Sequence, residues 1–327
     1  MRAGWYEKYG PAREVIQVGE LDTPEAGPGE VRVRLHASGA NPTDVKSRMG
    51  SRGPWKHPLI VPHSDGAGVI DQTGEGVDAA RAGERVWVYN GQWERPMGTA
   101  AEYITLPAAQ AVRLPAGVDF AQGACLAIPA MTAHRCLFSD GPIAGQTVLV
   151  TGGAGAVGHY AVQLAKWRGA RVFATVSTGE KGERAREAGA DLIVYYRSED
   201  VAAKVLDLTC GAGVDRIVDV DFGENVQTNK EILKNNGTIA AYASSRAPEP
   251  ALPFYAYMRF NANVRLCFVY TIPDEAKRSA CEDIVRACEE GALTHLIGER
   301  FPLDRLAEAH EAIESDARVG NVVVDIG

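Results

Sequence analysis

The sequence predicts an α/β protein that combines a doubly wound parallel sheet with a separate β-rich domain. Short strand-like runs separated by Gly, Pro and Asp fill residues 1 to about 120. From about Thr147 onwards, strands alternate with helices. The length of 327 residues also suits two domains better than a single core.

The N-terminal part consists of strands with frequent turns. The strand-like runs are 30–39, 65–74, 84–90 and 101–107. No long helical pattern interrupts them, and this arrangement is typical of an irregular barrel or sandwich.

The C-terminal part consists of serial βαβ units. We expect strands at 147–151, 171–176, 191–196, 215–220, 238–244 and 264–270, with helices at about 156–168, 180–190, 200–209 and 225–234. Such a series builds a parallel sheet with helices on both faces. A further helix at about 274–290 and a final strand at 321–327 need not belong to the same domain.

A glycine-rich turn joins the first strand of this series to its helix. Gly153, Gly155 and Gly158 match G-x-G-x-x-G, directly after a strand and directly before a helix, as a dinucleotide site requires. The first two glycines are expected to permit a tight turn and close approach to a pyrophosphate, and the third to allow close packing. The first amides of the helix, at Ala156, Val157 and Gly158, are expected to bind the phosphates. This indicates a Rossmann nucleotide-binding domain.

The end of the second strand indicates which dinucleotide is bound. NAD sites carry an Asp or Glu about 20 residues past the glycines, which binds the ribose 2′-hydroxyl. Here the strand is followed by Ser177, Thr178, Gly179, Glu180 and Lys181. Hydroxyl groups and a lysine suit a 2′-phosphate, whereas a carboxylate would repel it. We therefore predict NADPH as the cofactor, with Glu180 pointing to solvent.

Charge and hydropathy argue against several other classes of protein. The net charge of −8 makes nucleic acid an unlikely partner, because such binding depends on neutralising phosphates. No apolar run is long enough to span a membrane, and the N-terminus lacks the apolar core of a signal peptide. We predict a soluble, cytoplasmic protein.

A zinc-dependent alcohol dehydrogenase would share this two-domain order, but the sequence lacks ligands for the metal. Catalytic zinc uses three protein ligands, usually Cys and His. Residues 1–124 contain no cysteine, and His57 and His63 have no acidic or sulfur partner at a suitable spacing. We predict no metal, and therefore reduction of an electron-poor acceptor rather than oxidation of an alcohol.

Six segments together resemble the zeta-crystallin-like quinone oxidoreductases, a zinc-free branch of the medium-chain dehydrogenase/reductase superfamily. They are ASGANPTDVKSRMG (37–50), VPHSDGAGVI (61–70), GTAAEY (98–103), 114–137, the glycine block 148–172 and PLDRLAEAHEAIES (302–315). His63 replaces the glycine that is usual in the second segment. Asn41 and Ser64 stand where zinc-binding relatives carry a ligand cysteine and histidine.

The resemblance implies a GroES-like catalytic domain, a Rossmann domain and a returning tail, with the cofactor in the cleft. The implied boundaries are 1–122, 123–270 and 271–327. It also implies a homodimer joined through the last sheet strand, and NADPH-dependent reduction of a small electron-poor acceptor, either a quinone or an activated α,β-unsaturated carbonyl compound.

Individual residues match positions that bind the cofactor in this family. Asn41 and Thr132 match positions near the nicotinamide. The positions near the adenosine ribose and its 2′-phosphate are matched by Ser177, Lys181, Tyr196 and Asn321. The strand that closes over the nicotinamide is matched by the segment with Phe268 and Tyr270. Asn41 and Asp44 are the candidate catalytic residues, although Asp44 could equally cap the turn. Arg48 is expected to form a supporting salt bridge.

Two departures from the family pattern leave the substrate open. Lys46 and Arg52 stand where several relatives carry tyrosines beside the acceptor, so an acyl-thioester acceptor is an alternative to a quinone. A non-catalytic dinucleotide-binding or RNA-binding protein of the crystallin type is a further alternative. No protein acid is obvious, so water or a hydroxyl group is expected to deliver the proton.

Overall fold

The computed structural model describes residues 1–51, 53, 57–315 and 318–327, and these residues form two compact units. The first unit contains residues 1–128 and 295–327, and the second contains residues 129–294. The boundaries therefore differ from the predicted 122 and 270, most of all at the C-terminal one.

Fifteen strands and eleven α-helices are found among the described residues. The strands are β1 Arg2–Trp5, β2 Gln17–Glu20, β3 Glu30–Ala40, β4 Asp65–Thr73, β5 Arg85–Val88, β6 Tyr103–Pro107, β7 Ala111–Arg113, β8 Thr147–Thr151, β9 Arg171–Val176, β10 Leu192–Tyr195, β11 Val214–Asp219, β12 Leu233–Ala241, β13 Asn263–Leu266, β14 Ile297–Pro302 and β15 Asn321–Asp325. The helices are α1 Ala12–Val15, α2 Pro42–Arg48, α3 Phe120–Gly123, α4 Met131–Phe138, α5 Ala156–Trp167, α6 Gly179–Glu187, α7 Val201–Leu208, α8 Phe222–Ile232, α9 Phe254–Arg259, α10 Asp274–Glu289 and α11 Leu306–Glu314.

The second unit is built on a parallel sheet of six strands in the order β10-β9-β8-β11-β12-β13. Numbered from β8, this is the 3-2-1-4-5-6 order of the Rossmann fold. The strand order reverses between β8 and β11, and ligands bind outside the carboxyl ends of strands at such a switch point. This confirms the predicted doubly wound fold class.

Burial on both faces explains why these strands are apolar without alternation. Val148, Leu149 and Val150 of β8 are all at most 1% exposed. Helices cover the sheet with their apolar residues, for example Val205 of α7 and Ile232 of α8. The ends of β8, β9 and β11 are therefore held rigidly at one edge of the sheet.

The first unit is built on a largely antiparallel sheet in the order β14-β15-β3-β4-β5-β7, with β6 also paired to β3. Val31, Val33 and Leu35 of β3 are buried in alternation with more exposed residues, as expected for a sheet with one face in the core. The tail supplies β14 and β15, so residues from both ends of the chain complete this sheet.

Helix α10 corrects the predicted C-terminal boundary, because the segment that returns to the first unit starts at residue 295 rather than at 271. The helix buries Ala280, Ile284 and other small residues within the second unit. Asp283 of α10 also bonds to His134 Nε2 of α4 at 3.0 Å and to Arg168 Nη2 at 2.6 Å. Packing and ion pairing together keep α10 in the nucleotide-binding unit.

The last parallel strand is shorter than predicted. β13 ends at Leu266, and Val269–Thr271 forms a 3₁₀ turn. Phe268 and Tyr270 therefore do not lie on a strand, which corrects the expected run 264–270. The first unit also contains the short helix α2, although no helix was predicted there from the periodicity.

Candidate active site

The glycine turn follows β8 at the switch point and leads directly into α5. Gly152 has a φ of +71°, so it is the residue that needs the left-handed conformation. A Cβ at Gly153 would lie 2.7 Å from the Ala174 Cβ, and one at Gly158 would lie 2.1 Å from the Gly152 oxygen. Side chains are therefore excluded by crowding at Gly153 and Gly158. The motif reading missed Gly152, which precedes the matched glycines.

The start of α5 presents backbone amides to the space outside the sheet. Gly155 is the N-cap, with extended backbone, and Ala156 begins the helix. The first amides of any α-helix have no partner within the helix, and here they include those of Ala156, Val157 and Gly158. The positive end of the helix dipole lies at the same place, so the turn can hold an anionic diphosphate.

A buried carboxylate supports this turn from the neighbouring strand. Asp219, the last residue of β11, accepts hydrogen bonds from the side-chain amides of Asn225 and Asn229 at 2.7 and 2.6 Å. It also accepts one from Thr151 Oγ1 at 3.2 Å, and that hydroxyl accepts one from the Val220 amide at 2.8 Å. These contacts tie together the ends of β8 and β11, the two strands that flank the switch point.

The end of β9 forms the second part of the site. Ser177 is half-buried and Thr178 is exposed, and the Thr178 hydroxyl accepts a hydrogen bond from the Lys181 amide at 3.3 Å as the cap of α6. Glu180 is exposed, in agreement with the prediction that it points to solvent. The strand end therefore carries hydroxyl groups and a lysine instead of a carboxylate.

The neighbouring strand adds a cation that sequence reasoning missed. β10 pairs with β9, and the Tyr196 amide donates to the Val176 oxygen at 3.2 Å, which brings Tyr196 beside the end of β9. Tyr196 is 42% exposed, and Arg197 follows it at the surface. Within the described residues, Arg197 has no ion-pair partner. Arg197 could have been identified from the expected strand order, because the strand before it lies next to β9 in a Rossmann sheet.

Three further predicted residues of the second unit lie on α4 and on the turn that follows β13. Thr132 lies on α4 and is 4% exposed. Phe268 is 42% exposed, whereas Tyr270 is 5% exposed, and their rings lie 5.2 Å apart. Their contacts with a nicotinamide ring remain predictions.

Asn41 and Asp44 lie in the first unit, at the start of α2. The Asn41 amide donates to Asp44 Oδ2 at 2.7 Å, so Asp44 acts as a cap of the turn, which was one of its two predicted roles. The side-chain nitrogen of Asn41 donates to Asp65 Oδ2 at 2.9 Å. The Asn41 side chain also accepts a hydrogen bond from the Asp44 backbone amide, which completes a capping box.

Asp65 is a fully buried carboxyl group beside Asn41. Its Oδ2 also accepts a hydrogen bond from the Ile128 amide at 3.0 Å, while Oδ1 has no partner among the residues described. Burial raises the pKa of Asp65 well above its usual value, and the charge of Asp44 acts in the same direction. Burial therefore favours the neutral form of this carboxyl group, whose Oδ2 holds the Asn41 side chain.

The other predicted positions in the first unit have different environments. Arg48 is fully buried and pairs with Glu314, in agreement with the expected supporting salt bridge. Lys46 is exposed, and Arg52 lies outside the described residues. Asn321 begins β15, is 5% exposed and donates from its side-chain nitrogen to the Leu296 oxygen at 3.0 Å. Its contact with the cofactor is untested.

The described part of the chain contains no group of three His, Cys, Asp or Glu side chains that could hold a metal ion. Within the same residues, no helix is long and apolar enough to cross a membrane.

Family comparisons agree with this architecture in both units. Residues 27–116 match the alcohol dehydrogenase GroES-like domain family, and residues 156–286 match the zinc-binding dehydrogenase family. Among curated proteins, the chain is 28% identical to human quinone oxidoreductase, over 94% of this chain and 92% of that protein. It is 28% identical to 2-haloacrylate reductase from Burkholderia sp., over 99% and 98% of the two chains.

Other relatives extend this group. A zinc-type alcohol dehydrogenase-like protein of Schizosaccharomyces pombe is 31% identical over 94% of each chain. A solved structure described as an NAD-dependent alcohol dehydrogenase superposes with a TM-score of 0.91 at 31% identity, covering both chains completely. A mycobacterial protein solved in complex with NADPH gives 0.88 at 28% identity, again over both complete chains.

The parallel sheet with its glycine turn, the GroES-like domain and full-length similarity at up to 31% identity all agree with the predicted fold and with an oxidoreductase. The chain belongs to the medium-chain dehydrogenase/reductase superfamily, in the group of the quinone oxidoreductases.

Proposed function

We propose that the protein is an NADPH-dependent reductase that transfers hydride to a quinone or an activated α,β-unsaturated carbonyl compound without a metal ion. One observation carries the proposal. At the switch point, a glycine-rich turn of backbone amides lies next to two strand ends that carry hydroxyl groups and cations in place of a carboxylate.

The phosphates of the cofactor are bound by the amides of Ala156, Val157 and Gly158. Gly153 and Gly158 allow the close packing that side chains there would prevent, and the N-terminal end of α5 adds positive electrostatic potential. These groups bind a diphosphate of any dinucleotide, so they do not distinguish NADPH from NADH.

The preference for NADPH comes from the ends of β9 and β10. Ser177, Thr178 and Lys181 contribute hydroxyl groups and a cation, and Tyr196 and Arg197 follow the adjacent strand. An additional phosphate bears close to two negative charges, which these groups stabilise through charge-assisted hydrogen bonds. The relative solved with NADPH supports this assignment, while the relative described as NAD-dependent makes a direct comparison of the two cofactors necessary.

Asn41 is proposed to hold the nicotinamide end, with its side chain fixed by Asp65 through the side-chain nitrogen and by the Asp44 backbone amide. Bound NADPH supplies the hydride, so the protein has to orient the cofactor and exclude water. Burial raises the pKa of Asp65, which favours its neutral form and so limits negative charge beside Asn41. The remaining proton of the reaction is delivered by water or a hydroxyl group.

The acceptor class rests on the relatives. The names of the human and Burkholderia proteins describe a quinone and a haloacrylate, and both have an electron-poor double bond. The exposed Lys46 favours testing an acyl-thioester acceptor as well, because a cation beside the acceptor would suit the phosphate groups of a phosphate-bearing thiol carrier.

We also propose that two copies pair through β13. This strand lies at the edge of the parallel sheet, and Leu266 is 76% exposed on it. Phe254, Tyr255 and Met258 of the nearby helix α9 are 53–74% exposed, an apolar surface that a second copy would cover. Cytoplasmic location remains a prediction.

The function is tested by following NADPH oxidation with quinones, enones and enoyl thioesters. We expect turnover with at least one quinone or enone, and no loss of activity after treatment with a chelator. Stoichiometric, tightly bound zinc with alcohol oxidation would instead support an alcohol dehydrogenase. Salt-sensitive RNA binding without any turnover would support a non-catalytic protein.

A further inference from the structure

Buried polar side chains of the first unit form a line of hydrogen bonds that the proposed reaction does not use directly. All of them are 0% exposed. From one end to the other they are Arg48, His310, His63, Ser38, Thr99 and Asp65. We refer to this line as the histidine network.

Each link of the histidine network has hydrogen-bond geometry. Arg48 Nε lies 3.3 Å from His310 Nδ1, and the two histidines meet through their Nε2 atoms at 3.1 Å. His63 Nδ1 lies 2.8 Å from Ser38 Oγ, which lies 2.7 Å from Thr99 Oγ1. Thr99 Oγ1 then donates to the Asp65 carbonyl at 2.6 Å.

The two ends fix the direction of every bond. A guanidinium group can only donate, so His310 accepts at Nδ1 and carries its hydrogen on Nε2. A carbonyl can only accept, so Thr99 donates to Asp65 and accepts from Ser38, and Ser38 accepts from His63 Nδ1. Both deductions leave His63 Nε2 as an acceptor facing the His310 Nε2 hydrogen. The network is therefore consistent with neutral histidines in one pair of tautomers.

This arrangement excludes two other uses of the histidines. All four ring nitrogens of His63 and His310 are occupied, so neither ring offers a nitrogen to a metal ion or a substrate. Arg48 cannot accept a proton from Glu314, so protons cannot enter the network at that end. Positioning remains as the function that fits these bonds.

The backbone at His63 adopts a conformation that is uncommon for a residue with a side chain. Its φ is +74°, a conformation that glycine adopts without strain and that is uncommon for a histidine. Glycine is also the usual residue at this place in the family that the sequence resembles. A buried imidazole at such a position adds strain, and its two hydrogen bonds are what compensate for it.

Both ends of the histidine network meet the same short helix. Arg48 is the last residue of α2, and it is also bound by the Gly10 carbonyl and by Glu314. Asp65, at the other end, binds the side chain of Asn41, which precedes α2. We propose that the histidine network is a positioning device for Asn41, with His63 and His310 as its central positioning residues. This inference rests on the proposed role of Asn41 at the nicotinamide end.

The first test uses the intact wild-type protein and needs no enzymatic activity. Nitrogen-15 NMR of the imidazole rings distinguishes the two neutral tautomers, and His63→Gln and His310→Gln assign the signals. We expect the hydrogen of His63 on Nδ1 and that of His310 on Nε2 at neutral pH. A charged ring, or either ring in the opposite tautomer, would overturn the network.

The second test measures dissociation constants for NADPH and for 2′,5′-ADP, which lacks the nicotinamide. Thr99→Val removes the last hydroxyl of the network at nearly constant volume, and Thr99→Ser retains it. We expect Thr99→Val to weaken NADPH binding about fivefold while 2′,5′-ADP binds as before and Thr99→Ser restores wild-type affinity. Combined with Asn41→Ala, Thr99→Val should add no further loss, because both act through one side chain.

The outcomes separate positioning from a general effect on folding. Equal weakening of NADPH and 2′,5′-ADP binding, or losses that add fully in the double variant, would overturn the positioning role. Wild-type affinity in Thr99→Val would overturn it as well. A protein that binds NADPH but reduces no acceptor would contradict the proposed function, and the binding measurements would still decide the inference.

Discussion

At the scale of single residues, the glycine turn is where a side chain is least tolerated. The site for a Cβ at Gly158 lies 2.1 Å from the Gly152 oxygen, and backbone cannot yield as a flexible side chain could. Gly158→Ala should therefore displace the turn and weaken NADPH binding by about tenfold or more, equivalent to about 1.4 kcal/mol. Fluorescence titration with NADPH measures this.

A matched glycine provides the control for that experiment. A Cβ at Gly117 meets no atom within 4 Å, and Gly117 is absent from the residues with positive φ. Gly117→Ala should bind NADPH like the wild type. Equal affinities of both variants would show that the turn does not hold the cofactor.

Substitution of Arg197 measures how much the cation at the end of β10 contributes to the choice of cofactor. Arg197→Glu places a negative charge beside the proposed site of the 2′-phosphate, so NADPH should bind about tenfold more weakly while NADH is little affected. Arg278→Glu makes the same change of charge on α10 and serves as the control. A parallel loss in both variants would indicate a long-range charge effect instead.

The two buried histidines make stability sensitive to acid. Burial lowers the pKa of His63 to about 3 and that of His310 well below its usual 6.5, with the charges of His63 and Arg48 adding to the effect at His310. Between pH 3 and 6.5 the unfolded chain therefore binds more protons at these groups, so their contribution to stability is fully present above pH 6.5 and falls as the pH is lowered. Protonation of His63 should remove about 1.4 kcal/mol per pH unit within that window, and His310 acts in the same direction.

His63→Gln isolates this contribution. Asp65, whose raised pKa acts with the opposite sign, is present in both proteins, so it largely cancels in the difference. Urea unfolding at several pH values should show a shallower loss of stability in His63→Gln than in the wild type between pH 6.5 and 4.5, by about 1.4 kcal/mol per unit. Identical pH profiles would contradict the neutral, buried state of His63.

At the scale of elements, β13 carries the proposed contact between copies. Its edge leaves backbone groups and the 76% exposed Leu266 open to another strand. Leu266→Glu should convert a dimer to a monomer in sedimentation experiments, because a charge would be buried in an apolar contact. Arg278→Gln, which changes the net charge equally, should leave the dimer intact. A monomeric wild type would contradict the proposed pairing.

The elements also show what could be predicted from the sequence. β8 and β9 were predicted with their observed bounds because buried parallel strands are uninterrupted apolar runs. β13 was predicted too long, since the apolar residues Cys267, Val269 and Tyr270 are buried in a turn as they would be in a strand. α2 was missed because seven residues are too few for a clear periodic pattern.

At the scale of the whole molecule, the two-unit organisation was predictable, but its boundary was not. The apolar face of α10 can be recognised in the sequence, but the sequence does not say which unit this face covers. The ion pairs of Asp283 that keep α10 in the second unit join residues that are distant in the chain. The histidine network was hidden for the same reason, because His63 and His310 are 247 positions apart in the chain. The glycine turn could be predicted because the residues that form it follow one another closely in the sequence.

The central claim is that the switch point of the parallel sheet binds NADPH in preference to NADH. Calorimetric titration of the purified protein with each cofactor tests it most directly. We expect both to bind through the shared diphosphate, with NADPH at least about tenfold tighter because of the additional phosphate. Failure to bind either cofactor, or tighter binding of NADH, would contradict the account.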